Sequence, residues 1–155
     1  MQERFKQVLV YQYQPKLAAN LIDLGQAAAA SLDKLLVHLI KLRASQLNGC
    51  AFCQHMHANE ARNDGEQQQR LDVLPAWREV AVFSAAEKAA LQWTESLTLL
   101  ASQIIKEQDY QALSQHFNEQ QIVDLSVTIA TINTWNRIAA GFNFAPGFAS
   151  IHSSK

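Results

Sequence analysis

Apolar residues along most of this chain recur at spacings of three and four, the period of an amphipathic helix. Ile122, Leu125, Ile129, Ile132 and Trp135 form one such series, and Leu17, Leu21, Leu24 and Ala28 form another. No run alternates convincingly in the manner of a strand. Five Gly and three Pro are spread over 155 residues, so long irregular stretches are not expected. The pattern predicts an all-α, single-domain bundle of about six to seven helices.

Punctuation residues divide the bundle. Pro15 opens a helix over about 15–30. Ser31 is the predicted cap of a second helix, about 32–47, with Lys34, Lys41 and Arg43 on its wet side. Asn48-Gly49 breaks that helix. A third runs over about 50–63 and ends at Asp64-Gly65. A short helix at 66–71 follows, and Pro75-Ala76-Trp77 turns the chain. Ser84 with Glu87 three residues on is a capping box, opening a helix to about 101. Another helix covers about 109–117. Asn118 and Gln121 resemble a second box before a long last helix, about 119–140, with Gly141 as its terminating glycine. Residues 1–14 (Val8, Leu9, Val10, Tyr11 and Tyr13 among them) read as an extended arm packing on the domain or on a neighbouring subunit. The domain is 15–143, and 144–155 reads as a loose tail from Pro146-Gly147.

Charge narrows the function classes. Thirteen basic and 14 acidic residues leave a net charge of −1 with no basic patch to follow a phosphate backbone. Nucleic acid is therefore not an expected partner. The first residues lack the apolar core of a signal peptide, and no run approaches the roughly 18 apolar residues of a membrane span. The expectation is a cytoplasmic protein without membrane attachment. Structural disulfides are rare in that compartment. Yet both cysteines of the chain, Cys50 and Cys53, fall in one Cys-x-x-Cys.

On a helix turning about 100° per residue, Cys53 lies roughly 60° from Cys50, His57 about 20° and Glu60 roughly 80°, all on one side. His55 points elsewhere. Cys50 falls where unpaired backbone N–H groups and the helix dipole favour an anion, which lowers a thiol pKa. His57 can take or return a thiol proton. A second cysteine one turn away can resolve a sulfenic acid as a disulfide. Two other readings compete. Buried cysteines can be mere small apolar filler. Cys50, Cys53, His57 and His38 could also close a tetrahedral zinc site, although three of these ligands crowd one helix and no second knuckle is present. The preferred reading assigns no metal.

The segment Leu42-Arg43-Ala44-Ser45-Gln46-Leu47-Asn48-Gly49-Cys50-Ala51-Phe52-Cys53, followed by Met56-His57 and Ala61-Arg62, resembles the signature of alkylhydroperoxidase D-like (AhpD-like) proteins of the carboxymuconolactone decarboxylase superfamily. Ala76-Trp77-Arg78-Glu79, Phe83-Ser84, Glu87–Leu91, Trp93–Thr98 and Ile132–Arg137 fit it too, so the resemblance spans about 16–143. It implies a helical homo-oligomer with its cysteines near a subunit interface, and reduction of small hydroperoxides. It makes Cys53 the nucleophile that becomes a sulfenic acid, Cys50 the proton donor and resolving thiol, and His57 a proton relay. Helix-start electrostatics alone favour Cys50 as the more acidic thiol. The family role is followed because His57, four residues from Cys53, can touch it directly.

Two positions depart from the family. His38 stands where the relay usually has a glutamate, twelve residues before the first cysteine, so Glu60 becomes a candidate relay group. Phe52 stands where some members carry a histidine. Trp77, Trp93 and Trp135 read as core, and Asn133, Asn136 and Arg137 as groups that bond the chain entering the site or a neighbouring subunit.

The expected function is a thiol peroxidase acting on organic hydroperoxides or hydrogen peroxide through a Cys50–Cys53 dithiol/disulfide cycle. No cofactor is expected to be bound. The reductant would be an external dithiol on a partner protein, a lipoyl group being the family's best-known example. The alternatives are a non-catalytic redox sensor or oligomeric binding protein, and a decarboxylase-like small-molecule enzyme.

Overall fold

The computed structural model describes residues 2–147. Eight α-helices and one 3-10 helix make up the described chain: α1 Gln7–Tyr13, α2 Pro15–Ala29, α3 Lys34–Leu47, α4 Ala51–Asn63, α5 Gln68–Val73, the 3-10 helix Leu74–Glu79, α6 Ala85–Thr98, α7 Glu107–Ser114 and α8 Glu119–Phe142. The all-α expectation holds, with a helix count slightly above the expected one.

The extra helix is α1, in the segment read as an extended arm. Its β-branched and aromatic residues suggest an extended chain, but no strand lies among the described residues to pair with one. Coiling instead buries Val10 and sets Tyr11 edge-on to Trp135, ring centroids 6.2 Å apart. Pro15 disfavours continuing the helix and starts α2. The arm packs on its own domain. Arg4 donates its backbone N–H to the Phe142 carbonyl and its Nη1 to Gly141 O at 2.7 Å, and Phe5 packs edge-on against Phe142.

Helix α3 is the central element. Leu36 and Ile40 join a core with Ala90, Trp93, Leu125 and Ile129 of α6 and α8. Leu39 and Leu42 join another with Ala61, Leu74, Trp77 and Leu91. Its cap is Asp33, whose Oδ1 accepts from Leu36 N at 2.9 Å, and not Ser31. Ser31 Oγ donates to Asp124 Oδ2 of α8 instead. The wet-side assignment holds for Lys34 but not for its neighbours. Arg43 Nε donates to Glu95 Oε1 at 2.8 Å with about a tenth of either side chain exposed, and Lys41 lines a cavity.

The two capping boxes form as expected, at Ser84/Glu87 and Asn118/Gln121. Gly141 does not end α8. The helix continues to Phe142, and Asn143 takes the left-handed conformation at φ 54°. The tail does not begin loosely either: Phe144 is buried against Phe52 and the cysteines. The rest of the expected tail, 148–155 with His152, lies outside the described residues. No described helix is long and apolar enough to cross a membrane.

Candidate active site

Gly49, at φ +64°, makes the tight turn that folds α4 back along α3. The pairing is antiparallel. Gln54 near the turn reaches Ser45 O, and Asp64 at the far end of α4 meets Lys34 at the start of α3. The turn is pinned by a buried amide cluster. Asn48 Nδ2 donates to Asn133 Oδ1 and Asn136 Oδ1 of α8, both at 2.9 Å, and Asn136 Nδ2 donates to Ser45 Oγ. Asn133 and Asn136 thus bond the chain leading into the cysteines. Arg137 bonds back to Asn133 O within its own helix.

Cys50 is the N-cap of α4, just outside the helix, and its Sγ accepts from Cys53 N at 3.2 Å. The two cysteines are joined as a disulfide, with Cα atoms 5.3 Å apart. Both are almost wholly buried, but their surroundings differ. Cys53 lines a cavity of about 450 Å³, whereas Cys50 is not among its walls.

The cavity lies between α1, α2, α3, α4 and α8. Phe52, Met56, Ile132, Trp135 and Phe144 are among its apolar walls, with Leu21 and Ile22 from α2. His57, Glu60, Lys41 and Thr128 supply polar groups. His57 is buried, and its Nδ1 lies 2.8 Å from Glu60 Oε2. An ionised carboxylate can only accept, so Nδ1 carries the proton and Nε2 presents its lone pair. Nε2 is buried and has no hydrogen-bond partner. Burial pushes the His57 pKa below its ordinary value of 6.5, against the opposing pull of Glu60. The bond from His57 lowers the Glu60 pKa in turn. The result is a neutral imidazole beside a thiol position, with its basic nitrogen free.

His38 does not line this cavity. Its Nε2 is held 2.5 Å from Asp64 Oδ2, leaving Nδ1 buried and without a partner. Lys34 bonds the other Asp64 oxygen at 2.6 Å. The residue at the family's glutamate position is therefore turned towards the far end of α4. His55 points away, as the helical spacing predicts, and contacts Asn59. Trp77 and Trp93 are core residues, but Trp135 is a cavity wall. Lys41, Thr128, Trp135 and Phe144 were not among the expected site residues. Only Lys41 leaves a trace in the sequence, one turn beyond His38 on the same side of α3.

Fold and site together define an all-α protein with a Cys-x-x-Cys disulfide, one of whose sulfurs borders an apolar cavity beside a buried histidine. The model of the carboxymuconolactone decarboxylase family matches residues 15–96, and the chain belongs to that family as an AhpD-like member. It is 39% identical over 135 residues to the uncharacterized protein YdfG of Bacillus subtilis (strain 168), covering 86% of this chain and 92% of that one. A protein of unknown function from Agrobacterium tumefaciens, suggested to be the antioxidant defence protein AhpD, superposes with a TM-score of 0.88 at 36% identity, over 96% of this chain and 100% of that one. The debrominase Bmp8 shares the fold at 18% identity and a TM-score of 0.75, over 89% and 75% of the two chains.

Proposed function

We propose that this protein is a dithiol peroxidase reducing small organic hydroperoxides or hydrogen peroxide. The observation that supports it most is the asymmetry of the cysteines: Cys53 faces the cavity together with His57, and Cys50 sits behind it at the helix cap. In the reduced protein, His57 Nε2 takes the Cys53 thiol proton. The thiolate attacks the terminal peroxide oxygen, the O–O bond breaks, and the leaving alkoxide takes the proton from the imidazolium as the alcohol forms. Cys53 is now a sulfenic acid. The Cys50 sulfur attacks it, water leaves, and the disulfide forms. An external dithiol of the lipoyl type returns the pair to the reduced state, the cycle suiting a reducing compartment such as the cytoplasm. Exposed Val8, Tyr13, Ile22 and Leu24 on α1 and α2 favour a homo-oligomer built over this end of the molecule.

The test is a free-thiol titration of reduced protein before and after one equivalent of cumene hydroperoxide. Wild type loses two thiols, Cys50→Ser yields a trappable sulfenic acid, and Cys53→Ser does not react. Thiols that stay inert in wild type sink the proposal.

One observation favours a second reading, a redox-sensing oligomer. His38 is engaged with Asp64, away from the cysteines, so the family's relay is incomplete at that position. Disulfide formation that changes the oligomer mass without sustained peroxide turnover would select this reading.

A further inference from the structure

Lys41 lines the same cavity as Cys53, yet its ammonium has no hydrogen bond or ion pair with any described residue. The ammonium is half-buried, and loss of water pushes its pKa down. The acidic group that acts on it is Glu60, through space and without a direct ion pair, while Glu60 Oε2 bonds His57 Nδ1. A cation partly withdrawn from water with no anion in bonding contact is costly, and an anion bonded to it reduces that cost. A second polar group is left open as well: Thr128 Oγ1, fully buried on α8 at the cavity wall, has no partner. Much of the remaining wall is apolar: Leu21 and Ile22 from α2, Phe52 and Met56 from α4, Ile132 and Trp135 from α8. Its roughly 450 Å³ lies within the range of sites for small organic molecules and is far larger than an inorganic ion needs.

We infer that this cavity takes a small organic acid with an apolar body, and that Lys41 receives its anionic group. The inference rests on the peroxidase reading of the same site and names its substrate class: an organic hydroperoxide that also carries a carboxylate. A hydroperoxyl group is neutral near pH 7, so the anion is a second group on the molecule. Lys41 on α3 then holds the carboxylate while the hydroperoxyl end lies at Cys53 and His57 on α4. Lys41 is a binding residue here and takes no part in the electron flow.

Binding is measured apart from turnover, by titration calorimetry on the full chain in its disulfide form. The probes are phenylacetate, 4-phenylbutanoate and 5-phenylpentanoate, each against its neutral amide. At least one acid should bind about tenfold tighter than its amide, the worth of one charge-assisted hydrogen bond. Lys41→Met should erase the preference, and Lys41→Arg should keep most of it. Acids and amides that bind alike, a preference that survives in Lys41→Met, or no binding of any probe would overturn the inference. The two readings fail separately. Thiols inert to peroxide would remove the hydroperoxide and leave the acid site, whereas acid-blind binding would remove Lys41 and leave the peroxidase.

Discussion

His57 Nδ1 lies 2.8 Å from Glu60 Oε2, and that bond decides which edge of the imidazole is left for chemistry. With Nδ1 donating, Nε2 is the free base, buried and unpartnered at the cavity. A positioned general base contributes about 10²–10⁴-fold. His57→Asn should therefore slow loss of the first thiol to cumene hydroperoxide by at least about a hundredfold at pH 7. Glu60→Gln keeps an acceptor for Nδ1 but removes the charge that favours the imidazolium, so a smaller loss, about tenfold, is expected. Stopped-flow thiol consumption in the two variants checks the order. Equal losses would show that Glu60 does more than orient the ring.

The same pair sets a pH dependence. His57 has a folded pKa below its ordinary 6.5, so the unfolded chain binds a proton that the folded chain resists. Glu60 is likewise depressed below 4.5. In both cases the stabilising contribution is complete above the unfolded value and is lost as pH falls towards the folded one. Stability should decline from about pH 6.5 downward through His57, and again below about pH 4.5 through Glu60. Urea midpoints at pH 7.5 and 5.5 measure the first step. His57→Phe should show a smaller drop over that interval than wild type, and an unchanged drop would assign it to other groups.

Glu95 ties three segments together. Its carboxylate accepts from Arg43 Nε and Trp77 Nε1, each at 2.8 Å, and from Arg78 at 2.7 Å. Glu95→Gln leaves the buried Arg43 guanidinium without its counter-ion, a change of a kind that costs about 3–5 kcal/mol. Replacing Arg78, nearly half-exposed, should cost under about 1 kcal/mol. Chemical denaturation of the two variants separates the buried arm of the network from the exposed one.

What the sequence disclosed was whatever depends on neighbours in the chain. The capping boxes at Ser84 and Asn118 are complete within four residues, and Cys53 and His57 share a face because four residues make about one helical turn. What it hid depends on elements meeting. The bond between His38 and Asp64 needs the antiparallel register of α3 and α4. The cavity role of Lys41, Thr128, Trp135 and Phe144 exists only where several segments converge. The coiling of α1 was masked by β-branched and aromatic residues whose packing partner, Trp135, lies more than a hundred residues away.

Asn48 shows how such a distant contact governs the site. Its amide is the last polar group before Gly49 and Cys50, and it satisfies two buried carbonyl oxygens on α8 at once. Asn48→Ala leaves Asn133 Oδ1 with only the Arg137 guanidinium and Asn136 Oδ1 with no donor. One unsatisfied buried acceptor costs about 1–3 kcal/mol, so a loss of about 2 kcal/mol is expected in urea unfolding. The turn carrying Cys50 is released from α8 as well, while His57 and Glu60 stay in place on α4. Resolution should therefore suffer more than the first attack: a sulfenic acid should persist longer in Asn48→Ala, while loss of the first thiol stays near the wild-type rate. Trapping with a dimedone-type reagent during a single turnover reads the difference, and a variant that slows both steps equally would show that Asn48 supports the fold and not the cysteine geometry.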